Sequence, residues 1–229
     1  MTVEIRWLGH SCFTISTGGH NLIVDPFLDD SPVAPVKAAD VTADHLLLTH
    51  GHFDHVADAV SIALRTRAVV VANFEICEWL KAQGVAEDKV IAMNTGGQVE
   101  LPFGLLKVTV AHHSSSLPDG SYGGNPGGFV LSLKDRRIYL AGDTALTLDM
   151  KLIGIGGLDL AVLPIGDLFT MGPEDSIEAV KLLNPTKVLP CHYNTWPPIE
   201  QDASAWADRV RSYTAAEPIV LEPGGTTTL

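Results

Sequence analysis

The chain has little of what would tie it to a membrane, to nucleic acid or to a disulfide framework. No uncharged apolar run approaches the length needed to cross a bilayer. The opening MTVEIRWLGH places Glu4 and Arg6 where a secretory leader would need an apolar core, so no leader is expected. Cysteine is scarce: Cys12, Cys77 and Cys191 are odd in number, widely spaced and without a CxxC pair. That argues against structural disulfides and for a reducing compartment. Basic residues are outnumbered, 15 Lys and Arg against 27 Asp and Glu, giving a net charge of −12. Phosphate backbones and anionic lipid would be repelled over most approaches. The expectation is a cytoplasmic protein acting on a small molecule, with neither nucleic acid nor membrane as partner; a homo-oligomer is compatible with all of this.

What is present describes a globular chain. Of 229 residues, 46% are hydrophobic and 18% charged, which suffices for a substantial core. CFTIST and NLIVD read as strands around a turn at Gly18, Gly19 and His20. A Pro- and Asp-rich loop spans Pro26 to Asp44, and HLLL is a short buried strand. Val56 to Arg65 reads as a helix, Ala68 to Ala72 as a strand, and Phe74 to Gln83 as a helix stopped by Gly84. Gln98 to His113 and Phe129 to Ala141 are strand-like, the second with a turn at Lys134 and Asp135, and SYGGNPGG joins them. DLAVLPI and KVLPCH are strands, each followed by a helix, Pro173 to Leu183 and Ala203 to Tyr213. On the last helix Trp206, Val210 and Tyr213 share a face that reads as core. The order strand, strand, helix, strand occurs in both halves, and in each a strand ends in an aspartate, Asp25 or Asp143. This predicts one α+β domain over residues 1–229, two β layers each covered by helices.

Residues 49 to 55, THGHFDH, concentrate three of the nine histidines beside a carboxylate. His50 and His52 are two apart, so in an extended segment they point the same way. Asp54 and His55 then turn the chain into a helix. The segment offers two pairs of donors aimed at two adjacent points, which suits two metal ions. Further donors follow other strands: His112 and His113 in AHHSS, Asp143 in AGDT and His192 in PCHYN. Cys191 faces away from His192 on a strand and reads as buried and inert.

Together THGHFDH, AGDT and PCHYN resemble the metallo-β-lactamase superfamily, whose fold is a four-layer αββα sandwich. GHSCF, LIVDPF, YGGNPGGF, YLAGDTALTLDMKLIG and CHYNTW are similar to its small UPF0173-type metal-dependent hydrolases, over nearly the whole chain. The resemblance implies His50, His52 and one of His112 or His113 on a first metal. It implies Asp54, His55 and His192 on a second, with Asp143 bridging both. His113 is chosen because the place of the preceding apolar residue is taken by His112, which is then packed or supports the site. Asp25 either bonds a ligand histidine or caps the turn before Pro26. His10 is a core histidine or a site residue. Tyr122, Asp167 and Asn194 line the pocket or serve turns, and His20 and His45 lie on the surface or in turns.

Two divalent ions, Zn2+ first and Mn2+ or Fe2+ as alternatives, would hold a bridging hydroxide as the nucleophile, with Asp54 orienting it and moving its proton. Two aspartates and one hydroxide leave the centre positive, so a small, anionic ester, lactone or amide is the expected substrate. The same donors could serve a phosphodiesterase, an iron-dependent oxidoreductase, or a site that only binds metal.

Overall fold

The structure, a computed structural model, describes residues 2–229. Its first sheet is built from β1 (Val3–Trp7), β2 (Phe13–Thr17), β3 (His20–Val24), β4 (His45–Leu47), β5 (Val69–Asn73) and β6 (Val90–Met93). The second holds β7 (Gln98–Leu101), β8 (Gly104–Val110), β9 (Gly127–Ser132), β10 (Arg137–Leu140), β11 (Leu160–Pro164), β12 (Lys187–Cys191) and β13 (Glu217–Pro218). A last strand, β14 (Thr226–Thr228), returns to the first sheet beside β1. Helices α1 (Phe53–Val56), α2 (Ala59–Thr66) and α3 (Phe74–Ala82) belong to the first half, and α4 (Asp149–Ile153), α5 (Pro173–Leu183) and α6 (Ala203–Tyr213) to the second.

The two sheets repeat one plan. The first runs β14-β1-β2-β3-β4-β5-β6, antiparallel as far as β3 and parallel beyond it. The second, read β7-β8-β9-β10-β11-β12-β13, is antiparallel as far as β10 and parallel beyond it. The strands at the change of direction, β3 and β10, are those that lead into Asp25 and Asp143.

Strand alternation sorts the apolar residues into layers. From β3, β4 and β5, Leu22, Val24, Leu47 and Val71 join the core between the sheets, with Phe129, Leu131, Leu140 and Val162 opposite. Their neighbours Ile23, Leu46, Val70 and Ala72 face outward under Ile62 of α2 and Ile76 and Leu80 of α3. On the second sheet Ile177, Val180 and Leu183 of α5 and Trp206 and Val210 of α6 complete the main core. The result is the four-layer αββα sandwich. No helix among the described residues is long and apolar enough to cross a membrane.

Several expectations need correction. The helix at Val56 to Arg65 is two helices, α1 and α2, parted at Asp58. The Asp58 carboxylate does not cap α2; it accepts from the N–H groups of Leu28 and Asp29 and pins the loop after β3. Gln98 to His113 is a hairpin, with Pro102 and Phe103 at its turn, and it ends at Val110. His112 therefore lies beyond the strand, where alternation does not apply, and its side chain is 58% exposed, not packed. Tyr213 is exposed at the end of α6, beside Lys181, and is no part of the core. His45 is buried in β4 against Phe103, and His20 opens β3 instead of sitting in a turn.

Candidate metal centre

Each donor reaches the centre from the exit of a strand. Leu47 ends β4, and the next residues are Leu48, Thr49 and His50. Thr49 is tied down twice by Asp25: its N–H and its hydroxyl donate to the two carboxylate oxygens at 2.8 and 2.6 Å. The Thr49 hydroxyl lies 3.0 Å from His50 Nδ1 and accepts its proton, which leaves His50 Nε2 bare. Asp25 also lies 2.8 Å from His55 Nδ1, so His55 presents Nε2 to the centre. One buried carboxylate thus sets the ring orientation of two histidines. Gly51 N–H donates to Ser115 Oγ, whose hydroxyl donates to Gly123 O, fixing the motif to the glycine-rich loop.

The donors form two groups beside the hydrogen-bonded set of Asp25, His50 and His55. His50, His52 and His113 bring ring nitrogens within 4.8 Å of one another, and the donor atoms of His10, Asp54, His55 and His192 converge as closely. His52 Nδ1 stands 3.0 Å from His50 Nε2 and 3.3 Å from His113 Nε2. Asp143 Oδ2 lies between the groups: 3.0 Å from His192 Nε2, 3.4 Å from His55 Nε2, 3.6 Å from His113 Nε2 and 3.9 Å from His50 Nε2. Gly142, at a φ of +63°, delivers Asp143 there; a Cβ on it would meet Gly127 O at 2.8 Å.

His10 belongs to the second group by contact. Its Nδ1 is 2.7 Å from the Thr195 hydroxyl and its Nε2 is 2.9 Å from Asp54 Oδ2. Burial, and then the neighbouring His192, push its pKa down to about 4, so the ring is neutral near pH 7. With the Thr195 hydroxyl donating to Nδ1, Nε2–H donates to Asp54. The backbone is held as firmly, because His10 O accepts from Trp7 Nε1 and from His192 N.

Electrostatics favour a cation at the centre. Burial alone would raise the pKa of Asp54 and of Asp143. His55 and His10 reverse this for Asp54, and His192 and His55 for Asp143, so both carboxylates stay ionised. Burial disfavours a charged His55, yet Asp143, Asp25 and Asp54 together raise its pKa well above the usual value. Burial, then His55, push His50 well below it, and burial also lowers His52 and His113. The donors thus hold ionised carboxylates among mostly neutral rings. His55 Nε2 and Asp143 Oδ1 are buried without a hydrogen-bond partner, a deficit that a metal ion would remove. Imidazole and carboxylate donors with no thiolate fit Zn2+, Mn2+ or Fe2+.

The other candidates stand apart. Asp167 Oδ1 accepts from Leu168 N, and Asn194 Oδ1 from Gln201 N, so both serve turns outside the clustered donors. Tyr122 is exposed and donates to Asn125. The His112 ring lies 3.9 Å from Asp149, away from the clustered donors. Cys191 is buried, and burial with Asp143 nearby raises its thiol pKa far above the ordinary range. Sequence reasoning misses Thr49, Thr195 and Ser115, whose hydroxyls position the donors. Their only signal is adjacency to the motifs.

Comparison with known proteins agrees with this fold. The model of the beta-lactamase superfamily domain matches residues 4–192. A UPF0173 metal-dependent hydrolase of Thermus thermophilus is 50% identical over 222 residues, 97% of either chain. Igni18, a metallo hydrolase from Ignicoccus hospitalis, superposes with a TM-score of 0.90 at 34% identity, covering 100% of this chain and 99% of its own. CmlA, a diiron beta-hydroxylase from Streptomyces venezuelae, shares the fold alone: TM-score 0.73, 17% identity, with all of this chain matching 53% of that one. The chain belongs to the metallo-β-lactamase superfamily and, within it, to the UPF0173 metal-dependent hydrolases.

Proposed function

We propose that this metal-dependent hydrolase works with two divalent ions on a small ester, lactone or amide. His50, His52 and His113 would hold one ion, and Asp54, His55 and His192 the other, with Asp143 shared. The observation that carries this reading is the place of Asp143 Oδ2, within 3.0 to 3.9 Å of four imidazole nitrogens drawn from both groups. Ions of this kind would supply an acidified water and a Lewis acid for the carbonyl oxygen.

The chain's own residues do the rest. Asp54, held ionised and 21% exposed, can take the proton as the water oxygen adds to the carbonyl carbon. It returns that proton to the leaving alcohol or amine as the C–O or C–N bond breaks. His10, donating from Nε2, keeps one Asp54 oxygen occupied and so fixes the direction of the other. Asp25 keeps the His55 ring from turning. Positive charge left at the centre favours a negative group close to the reacting carbon.

The test is metal analysis of untagged protein followed by a lactone, ester and phosphodiester screen. Close to two zinc or manganese ions per chain, with turnover of a carboxylic ester or lactone, is the expected result. Turnover of phosphodiesters alone would replace the substrate class, and a redox-active iron content without hydrolysis would replace the reaction.

A further inference from the structure

One side of the centre is aromatic all the way to solvent. Phe53 lies between His52 and Asp54 and is 49% exposed. Its ring centroid is 5.5 Å from that of Phe27, which stands 5.7 Å from His10 and 5.8 Å from Trp196. Trp196 in turn is 5.0 Å from His10, whose Nε2 is on Asp54. Phe27 is buried, and it backs the exposed Phe53 and the partly exposed Trp196 on the way to the carboxylate that would handle the proton.

A second apolar surface lies on a neighbouring loop. Leu168 and Phe169 are 66% and 54% exposed on the loop after β11. That loop is anchored beside both central donors. Gly166 is packed so tightly on His192 O that a Cβ there would collide with it, and Met171 N–H donates to Thr144 O, next to Asp143. Asp167 and Leu168 hold φ angles of 62° and 35°, which side-chain-bearing residues rarely adopt. Large apolar side chains turned to water on a constrained loop mark a contact surface.

No lysine or arginine hydrogen-bonds or ion-pairs with any of the clustered donors among the described residues, whose charged contacts are all with one another. The loop carrying Phe27 is edged instead by carboxylates. Asp58 pins it at Leu28 and Asp29, and Asp29 and Asp30 are close enough to add to the burial that raises the Asp58 pKa. An anionic substrate body laid along this wall would meet three carboxylates against one lysine, Lys37, whose Nζ donates to Asp29 O at 2.8 Å.

We infer that the body of the substrate is uncharged and apolar, an aryl group or an acyl chain of several carbons lying on Phe53 and Trp196, with Phe27 buried behind them. This rests on the hydrolase reading and narrows it: any negative group belongs at the metals, and the remainder of the molecule is hydrophobic.

The experiment is calorimetric binding of straight-chain hydroxamic acids, acetyl to octanoyl, to protein shown by elemental analysis to carry its metals. A chelating head common to the series isolates the chain. Full burial of a methylene is worth about fourfold in affinity, so a wall covering one face predicts about twofold per methylene. An eight-carbon member ending in a carboxylate loses most of that gain. Phe53→Ala flattens the dependence of affinity on chain length, and Phe169→Ser does so to a smaller degree. Affinity independent of chain length, or tighter binding of the carboxylate-ended member, overturns the apolar body. Failure of acetohydroxamate itself to bind the metal-loaded protein overturns the metal-centre reading, and this proposal with it.

Discussion

The two halves of the molecule supply the centre in opposite ways. The first sheet delivers His50, His52, Asp54 and His55 from a single strand exit, within six residues. The second delivers His113, Asp143 and His192 from three separate exits, after β8, β10 and β12. The sheets share their order of strand directions, so the contrast comes from the loops. It teaches that the first half carries a nearly complete donor set on one local motif, whereas the second supplies single residues whose meaning depends on tertiary structure. Asp143 joins the halves, being in reach of His50 and His55 from one and of His113 and His192 from the other.

The hardest break to that arrangement is Asp143→Asn. It removes the charge on which four imidazoles converge without changing the volume. We expect metal content to fall from about two ions to fewer than one per chain. Hydrolysis should drop at least about a thousandfold, since several kcal/mol of transition-state stabilisation are at stake. His50→Ala and His192→Ala sharpen the comparison, because each should cost mainly the ion of its own group. Metal analysis of the three variants, beside activity, decides it; full metal and full activity in His50→Ala would remove the assignment.

Asp25→Ala comes next. Asp25 touches no proposed ion, yet it orients His55 directly and His50 through Thr49. Loss of a carboxylate behind a ligating histidine lowers metal affinity by about ten- to a hundredfold. A chelator competition titration should show that loss, with circular dichroism showing the sheets retained.

These residues differ in how far the sequence alone reveals them. THGHFDH is legible because its donors are contiguous and their directions follow from an extended segment entering a helix. Asp25 is legible as one of two uses for a carboxylate after NLIVD. His113 does reach the centre, from a loop that begins where β8 ends at Val110. The direction of its ring follows from loop contacts, with His112 N–H donating to Thr144 Oγ1 and Ala145 N–H to His112 O. His10 is ambiguous in sequence because its partner Thr195 is 185 residues away. The strands β13 and β14, of two and three residues, exist through pairing with β12 and β1 and carry no pattern of their own.

His10 offers a smaller effect that also tests the join between halves. Its folded pKa of about 4 lies below the ordinary value of 6.5. Between those values the unfolded chain binds more protons than the folded one. His10 therefore contributes its full stability above pH 6.5 and loses it as pH falls toward 4, by up to about 1.4 kcal/mol per pH unit. His50, His52 and His113, also lowered, add slope of the same sign, and His55, raised, adds the opposite. Urea unfolding of metal-free protein across pH 4 to 7 should thus give a shallower slope for His10→Gln than for the parent. Because the glutamine amide can still donate to Asp54, turnover by the metal-loaded variant should stay within about tenfold of the parent, while His10→Ala loses about a hundredfold.

The smallest effect is expected at the cysteine nearest the centre. Cys191 adjoins His192, and a thiolate there would be an obvious metal ligand. Burial, and then the charge of Asp143, hold its thiol protonated, and its side chain joins the core between the sheets. Cys191→Ala should then leave metal content and kcat unchanged and cost about 1 kcal/mol of stability, the usual scale for trimming a buried side chain by one atom. Cys12 makes the matching case in the first half: it is fully buried, its thiol pKa is likewise raised by burial, and it lies under the outer helices. A thiol reagent at pH 8 should label neither in native protein and both after unfolding. Metal loss in Cys191→Ala would show that the second half contributes a fourth donor, and the division between a motif-borne half and a dispersed half would have to be redrawn around it.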